Sequence, residues 1–395
     1  MDNPLHSEFT EGIKEALQNN NQALAAAKIQ EYLDQQNNTP LNIAITGETG
    51  SGKSTFVNAF RGIDNSDEKC ARTDENTLEV ISYPHPNYPN VTLWDLPGVG
   101  TTKFPADKYL ELVGFEKFDF FIIISDTRFR ENDVKLAQEI QKMGKKFYFV
   151  RSKIDNDLRA EERSQREFDE KKMIAQIREN CIQGLQQQGV ESPKVFLVSS
   201  FKLQLHDFPL LHKTLERELP AHKRNALLLA MHDINLEIIN KKKEAFQAEI
   251  KYLATLSAAV AAVPVTGLSV AVDVALLVGV VTKYVVGFGL YSSSLKSLAG
   301  STGVPLKDLT AAIHLPLAVT KITPFLILKL LSQCVSTAAS TAAEEESRYI
   351  PIIGIPAAMG LSFITTYRAL STFLNMLAED ADRVFTKALG LNTSV

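Results

Sequence analysis

Between residues 41 and about 200, short apolar runs alternate with polar segments of helical length. The runs cover 41–46, 91–95, 118–125, 146–151 and 194–199. Residues 120–124, Phe-Phe-Ile-Ile-Ile, are apolar on both faces, as a strand must be when helices cover both sides of a parallel sheet. Strands of this kind alternating with helices predict a doubly wound α/β domain over 40–219. Ahead of it, Phe9, Ile13, Ala16, Leu17, Leu24, Ala27, Ile29 and Leu33 form a broken stripe that predicts one helix over 8–35. Asn37-Asn38-Thr39-Pro40 ends it, so 1–39 is an N-terminal helical segment. After Pro220 the strand-like runs cease, and Ala-, Leu- and Val-rich stretches of helical length predict an all-α domain over 220–395.

The length of 395 residues exceeds one ordinary core and agrees with more than one domain. A net charge of −4 gives no electrostatic reason to expect nucleic acid as a partner. Cys70, Cys181 and Cys334 are too few and too scattered for a disulfide framework or a zinc site, which fits a reducing compartment. The first forty residues hold no apolar signal core, and Asp2 stands where N-myristoylation needs Gly. Residues 391–395 are not a prenylation box, so the expected location is cytoplasmic and any membrane contact must come from the chain itself.

Gly47-Glu48-Thr49-Gly50-Ser51-Gly52-Lys53-Ser54 follows the first strand and precedes a helix, the context a phosphate-binding loop requires. The glycines let backbone N–H groups from Gly47 through Thr55 turn inward, and the helix behind them points its positive end at the phosphates. Lys53 is expected to reach the β- and γ-phosphates, and the Ser54 hydroxyl to ligate Mg²⁺. Trp94-Asp95-Leu-Pro-Gly98 closes the second run. Asp95 there can hold Mg²⁺ through water, and Gly98 can offer its N–H to a γ-phosphate. Ser152-Lys153-Ile-Asp155 follows the fourth run and decides the base. The Asp155 carboxylate can accept from guanine N1–H and its exocyclic amine, an arrangement adenine does not present. Lys153 would lie along the base, and Ser152 supplies a hydroxyl where the usual signature has Asn or Thr. Ser199 begins the loop after the last run, where GTPases contact the guanine carbonyl through backbone.

With these elements in this order the chain resembles the immunity-related (interferon-inducible) GTPases, a family of dynamin-like cytoplasmic defence proteins. The residues that carry the resemblance are the loop at 47–54, Trp94-Asp-Leu-Pro-Gly98, Asp119-Phe-Phe-Ile-Ile-Ile-Ser125 and Lys146-Phe-Tyr-Phe-Val-Arg151. Asp207-Phe-Pro209 and Ala378-Glu-Asp-Ala-Asp-Arg383 extend it over nearly the whole chain, most tightly over 41–220. The Gly-Lys-Ser form of the loop marks the effector class within that family. The resemblance implies a helical domain built jointly from the N-terminal helix and the C-terminal third. It also implies GTP-dependent assembly on pathogen-containing or internal membranes.

Val99 stands where small signalling GTPases place the Gln that orients the attacking water, so slow turnover by the monomer is expected. Self-association across the nucleotide face is the economical remedy, and the resemblance favours it. Candidate groups for that contact are Glu48, which has no phosphate duty, and the segment 72–77, the expected first switch. Thr77, or else Thr73, can ligate Mg²⁺ there; for Glu48 and Glu75 a solvated carboxylate on a mobile loop is an equal reading. A GTP-loaded scaffold with negligible turnover is a second reading, kept alive by Val99. An ATP-dependent enzyme of another P-loop branch is a third, which Asp155 opposes.

The C-terminal third holds three apolar stretches, 253–281, 309–331 and 349–367. Pro264, Gly267 and Asp273 break the first, Pro316, Lys321 and Pro324 the second, and Pro351, Gly354, Pro356 and Gly360 the third. These read as packed helices, or as a hairpin making peripheral contact with a membrane, rather than as a span. Lys241-Lys-Lys243 reads as a solvated helix face.

Overall fold

The computed structural model describes residues 4–63, 70–71, 79–98, 108–127, 130–164, 167–231, 236–261, 268–318, 321–335 and 360–390. The predicted single N-terminal helix is a pair, α1 (Pro4–Gln18) and α2 (Gln22–Asn38), packed on each other. The chain turns at Asn20, which takes the left-handed φ of 54° that asparagine tolerates. Asn21 then caps α2, its side chain accepting from Leu24 N–H at 3.1 Å. The apolar stripe resumes on the far side of this turn, with Ala16 and Leu17 buried before it and Ala25, Ile29 and Leu33 after. Hydrophobic spacing therefore did not betray the break.

The next segment builds a sheet from β1 (Leu41–Thr46), β2 (Ile81–Pro84), β3 (Val91–Asp95), β4 (Phe120–Ser125), β5 (Phe147–Arg151) and β6 (Val195–Leu197). Its order is β2-β3-β1-β4-β5-β6, parallel throughout except for β2. The helices between the strands are α3 (Lys53–Phe60), α4 (Tyr109–Val113), α5 (Glu131–Lys142), α6 (Ile154–Ser164) and α7 (Glu170–Gln187). Two more, α8 (Phe208–Glu218) and α9 (Ala221–Ala230), follow β6. The five predicted runs are all strands. The strand β2 was not predicted, because an exposed edge strand ending in proline carries no apolar run.

The sheet is doubly wound, with helices covering both faces. Every residue of β4 is buried, and burying Phe121, Ile122, Ile123 and Ile124 contributes about 2 kcal/mol each. Trp94 closes the sheet face as expected: its ring meets Phe118 edge-on at 5.7 Å and its N–H reaches Asn42 Oδ1 at 2.9 Å. Asp207 explains its own motif by joining three elements. It accepts both arms of the Arg178 guanidinium from α7, at 2.5 and 3.0 Å, and the Leu197 N–H at 2.8 Å.

This compact unit spans Pro40–Ile234, so it runs past Pro220, where the composition changes. Helix α9 belongs with the sheet: it packs on β1 and β3, and Lys223 pairs with Asp119 at 2.6 Å. Composition alone could not show this, because a helix over a sheet and a helix in a bundle are equally apolar on one side.

The second unit joins Met1–Thr39 to Asn235–Val395. Its further helices are α10 (Leu236–Ala261), α11 (Leu268–Gly287), α12 (Ser292–Thr302), α13 (Leu306–Ala311), α14 (Pro324–Val335) and α15 (Gly360–Ala388). Helix α10 packs along both α15 and α2, with Ser257 and Thr366 hydroxyls at 2.9 Å. Asp380, fully buried, accepts the N–H groups of His314 and Leu315 at 2.8 and 3.0 Å and anchors α15. Lys242 corrects the reading of 241–243 as a solvated face. It is 2% exposed and donates to Gly287 O at 2.8 Å, a cation at the C-terminal end of α11.

Candidate functional site

In this sheet β1 lies between β3 and β4, so the chain departs to one side after β1 and to the other after β3. The crevice at the carboxyl ends of the strands beside such a reversal is where doubly wound sheets bind ligands. The loop after β1 occupies it. Gly47, Gly50 and Gly52 take φ of 135°, 81° and 96°, which side-chain-bearing residues avoid. At Gly47 space also forbids a side chain, since a Cβ would sit 2.1 Å from Ile124 O. Lys53 opens α3, is 6% exposed, and donates to Gly47 O and Glu48 O at 3.2 and 3.0 Å. Burial lowers its pKa, against the opposing charges of Asp95, Asp133 and Glu48. The Ser54 hydroxyl donates to Asp95 Oδ2 at 2.6 Å, bringing the first turn of α3 to the end of β3. Thr55 follows in the same turn.

Gly98 packs directly on the loop, because a Cβ there would lie 2.5 Å from Thr49 Oγ1. Just before it, Pro97 O accepts from the buried Tyr109 hydroxyl at 2.7 Å, and Tyr109 also meets Thr46 Oγ1 at 2.8 Å. This tyrosine ties the ends of β1 and β3 to α4.

The segment after β5 folds against the same loop. Ser152 Oγ donates to Ser51 O at 2.6 Å. Lys153 adopts a left-handed φ of 55°, uncommon for a side-chain-bearing residue and typical of functional turns. Its ammonium donates to Gly50 O at 2.7 Å and to Asp126 at 2.8 Å. Asp155 lies in the first turn of α6, 7% exposed, with Arg159 at 3.3 Å from Oδ2. The start of α6 is fixed by Arg151, paired with Asp157 at 2.5 Å, and by Ile154 N–H, which donates to Val198 O. That last bond also brings up Ser199, fully buried, whose Oγ accepts from Phe201 N–H.

Glu48, expected to be solvated or held for a second molecule, is instead engaged within the chain. Arg130 and Asn132, at the start of α5, both donate to its carboxylate, Asn132 at 3.3 Å. Arg130 continues to Asp126 at 3.8 Å. Beneath them Asp133 accepts from Arg130 N–H at 3.1 Å. Burial pushes its carboxyl up to about 6, with Arg130 N–H opposing and the Glu48 charge adding to the rise. Sequence reasoning missed Asp126, Arg130, Asn132 and Tyr109. The available signal was position, since Asp126 follows directly on the carboxyl end of β4. Thr77, Thr73, Glu75 and Val99 lie outside the described residues.

A doubly wound sheet that sets a Gly-Lys-Ser loop beside Asp95 and Ser152-Lys-Ile-Asp155 defines a P-loop GTPase. The sequence profile of the family described as Interferon-inducible GTPase (IIGP) matches residues 6–388. The chain belongs to that family. It is 43% identical to "Interferon-inducible GTPase 5" of Bos taurus, over 97% of this chain and 82% of that one. It is 37% identical to "Interferon-gamma-inducible GTPase 10" of Mus musculus, over 90% and 83%. Among solved structures, one of an oligomerised bacterial dynamin pair aligns over 96% of this chain and 73% of that chain, at a TM-score of 0.36 and 14% identity. The protein is a GTP-hydrolysing enzyme.

Proposed function

We propose that this GTPase reaches full activity only when a second copy completes its site, and that it acts at intracellular membranes in cell-autonomous defence. The observation behind the nucleotide site itself is the meeting of Lys53, the Ser54–Asp95 pair and the Ser152-Lys153 segment that leads to Asp155 at one loop. The loop backbone from Gly47 through Thr55 cradles the phosphates and Lys53 neutralises them. Asp155 reads guanine, Lys153 braces the base, and the Ser199 loop meets its carbonyl. The Ser54 hydroxyl and, through water, the Asp95 carboxylate would hold Mg²⁺ with hard oxygen atoms, with Thr77 as the expected further donor. The ion would supply positive charge against the β- and γ-phosphate oxygens.

Nothing in Val99 orients water, so the step that separates binding from hydrolysis needs a group from elsewhere. Glu48 suits a contact between molecules, once Arg130 and Asn132 release it. GTP turnover per molecule is therefore expected to rise as protein goes from sub-micromolar to tens of micromolar, with ATP as a silent control. A specific activity that stays flat would sink assembly-coupled hydrolysis. Negligible turnover across the whole range would instead favour the scaffold reading, which Val99 supports.

The membrane part rests on the helical unit. Phe325 and Leu328 on α14 are 77% and 50% exposed. Among the described residues one stretch, Val274–Thr302, has the length and composition to cross a bilayer. Its helix breaks after Gly287, with Gly289 at φ 64°, which suits shallow contact better than a span. The chain is expected to float with liposomes when loaded with a non-hydrolysable GTP analogue. Absence from the lipid fraction in both nucleotide states would remove the membrane from the proposal. The names of the relatives support induction by interferon, and the resemblance to the immunity-related GTPases implies the place in defence.

A further inference from the structure

Parallel strands start side by side, so the residues leading into β5 and β6 crowd together at the edge of the sheet opposite the nucleotide crevice. A cleft of about 540 Å³ lies there, within the range of small-molecule sites. It is lined by Lys145 and Lys146 before β5, Lys194 before β6, and Arg217 with Glu218 at the end of α8. The chain is acidic overall, yet this cleft gathers four cations against the carboxylates of Glu191 and Glu218.

Three of the four gather on one residue, while Lys145 donates to Glu116 O and Phe118 O at 3.2 and 2.8 Å. Lys194 pairs with the Glu218 carboxylate, and Arg217 reaches the same carboxylate at 3.9 Å. Lys146 donates to Glu218 O at 3.4 Å. The Lys194 ammonium also lies over the Tyr148 ring at 5.6 Å, which fixes its direction. Glu218 is 16% exposed, so it acts as a half-buried hub. One carboxylate does not balance the charges it collects. Partial burial, followed by the charges of Arg217 and Lys146, holds the Lys194 ammonium below the ordinary lysine range even beside Glu218. An added anion relieves that repulsion. A phosphate dianion suits it better than a carboxylate, since its three acceptor oxygens can take a guanidinium fork and several ammonium groups together.

We propose that this cleft is a second anion site, separate from the nucleotide loop, that binds a phosphorylated ligand through a phosphate dianion. The chemistry is common to a free phosphate ester and to a phosphorylated lipid headgroup. The test uses the full chain saturated with GDP and Mg²⁺, so that the phosphate loop is filled. Calorimetric titration with inositol hexakisphosphate is expected to show one site. The double substitution Lys194→Gln/Arg217→Gln should weaken it by about tenfold or more, and Lys194→Arg alone should retain it. The rate of GTP hydrolysis should not change in the double variant. Flotation with phosphatidylcholine vesicles, with and without a phosphorylated inositol lipid, separates the sources. Lipid-dependent flotation lost in the double variant assigns the headgroup, and titration without flotation assigns the free ester. No binding by the unmodified chain, or equal binding by the double variant, would overturn the site.

Discussion

Replacing Lys53 with alanine is expected to lower kcat/KM for GTP by about 10²–10³-fold while the protein still folds. In the structure the ammonium is held by Gly47 O and Glu48 O, close to where the loop backbone turns inward. Burial disfavours its charge, and three carboxylates, Asp95, Asp133 and Glu48, sustain it. Arriving phosphate offers stronger acceptors than two carbonyls, so the donor changes partners without being left unpaired. The alanine variant removes that compensation, and nucleotide charge then meets Asp95, Asp133 and Glu48 without the intervening cation. Folding should survive, because the substitution also removes a desolvated charge from a buried position. Turnover, nucleotide titration and a thermal melt check the three parts of this expectation. Turnover at the unmodified level would mean that the loop does not bind phosphate through Lys53.

The second large effect is a change of base. Asp155→Asn is expected to weaken GTP by about 10²–10⁴-fold and to restore activity with xanthosine triphosphate. In the proposed reading the carboxylate accepts from two guanine donors, N1–H and the exocyclic amine. An asparagine keeps one acceptor and turns the other arm into a donor, which suits the carbonyl that xanthine carries in place of the amine. Asp155 is 7% exposed and stands at the head of α6, so a mismatched pair there is not rescued by bulk water. Its ion pair with the half-exposed Arg159 is lost too, at a cost of at most about 1 kcal/mol. The fold is therefore not at stake. Competition between GTP and xanthosine triphosphate reads the result, and an unchanged preference for GTP would remove Asp155 from base recognition.

Much of this site was legible because its chemistry is local. The phosphate loop needs glycines at fixed offsets, and the strand before it and the helix after it are written in adjacent residues. Asp95, Asp155 and Ser199 were singled out for a related reason, since each ends or follows an apolar run at the carboxyl end of a strand. The network around Glu48 was not readable. Arg130 and Asn132 lie more than eighty positions away, and their approach depends on β4 pairing beside β1. Glu48 was therefore expected either as a solvated loop carboxylate or as a contact for a second molecule, and the structure shows it held by Arg130 and Asn132. Lys242 failed in the same way, because three successive lysines look solvated until a neighbouring helix ends over the middle one.

What the sequence determined by itself was the alternation of strands and helices and the glycine-rich loop that joins the first strand to its helix. These depend on hydrophobic period and on short-range backbone geometry. What only the tertiary structure decided was the turn at Asn20, the membership of α9 in the sheet unit, the partners of Glu48 and the cluster around Glu218. Each of those depends on which distant segments pack together. Packing is a property of the whole set of buried surfaces, and no window of neighbouring residues contains it.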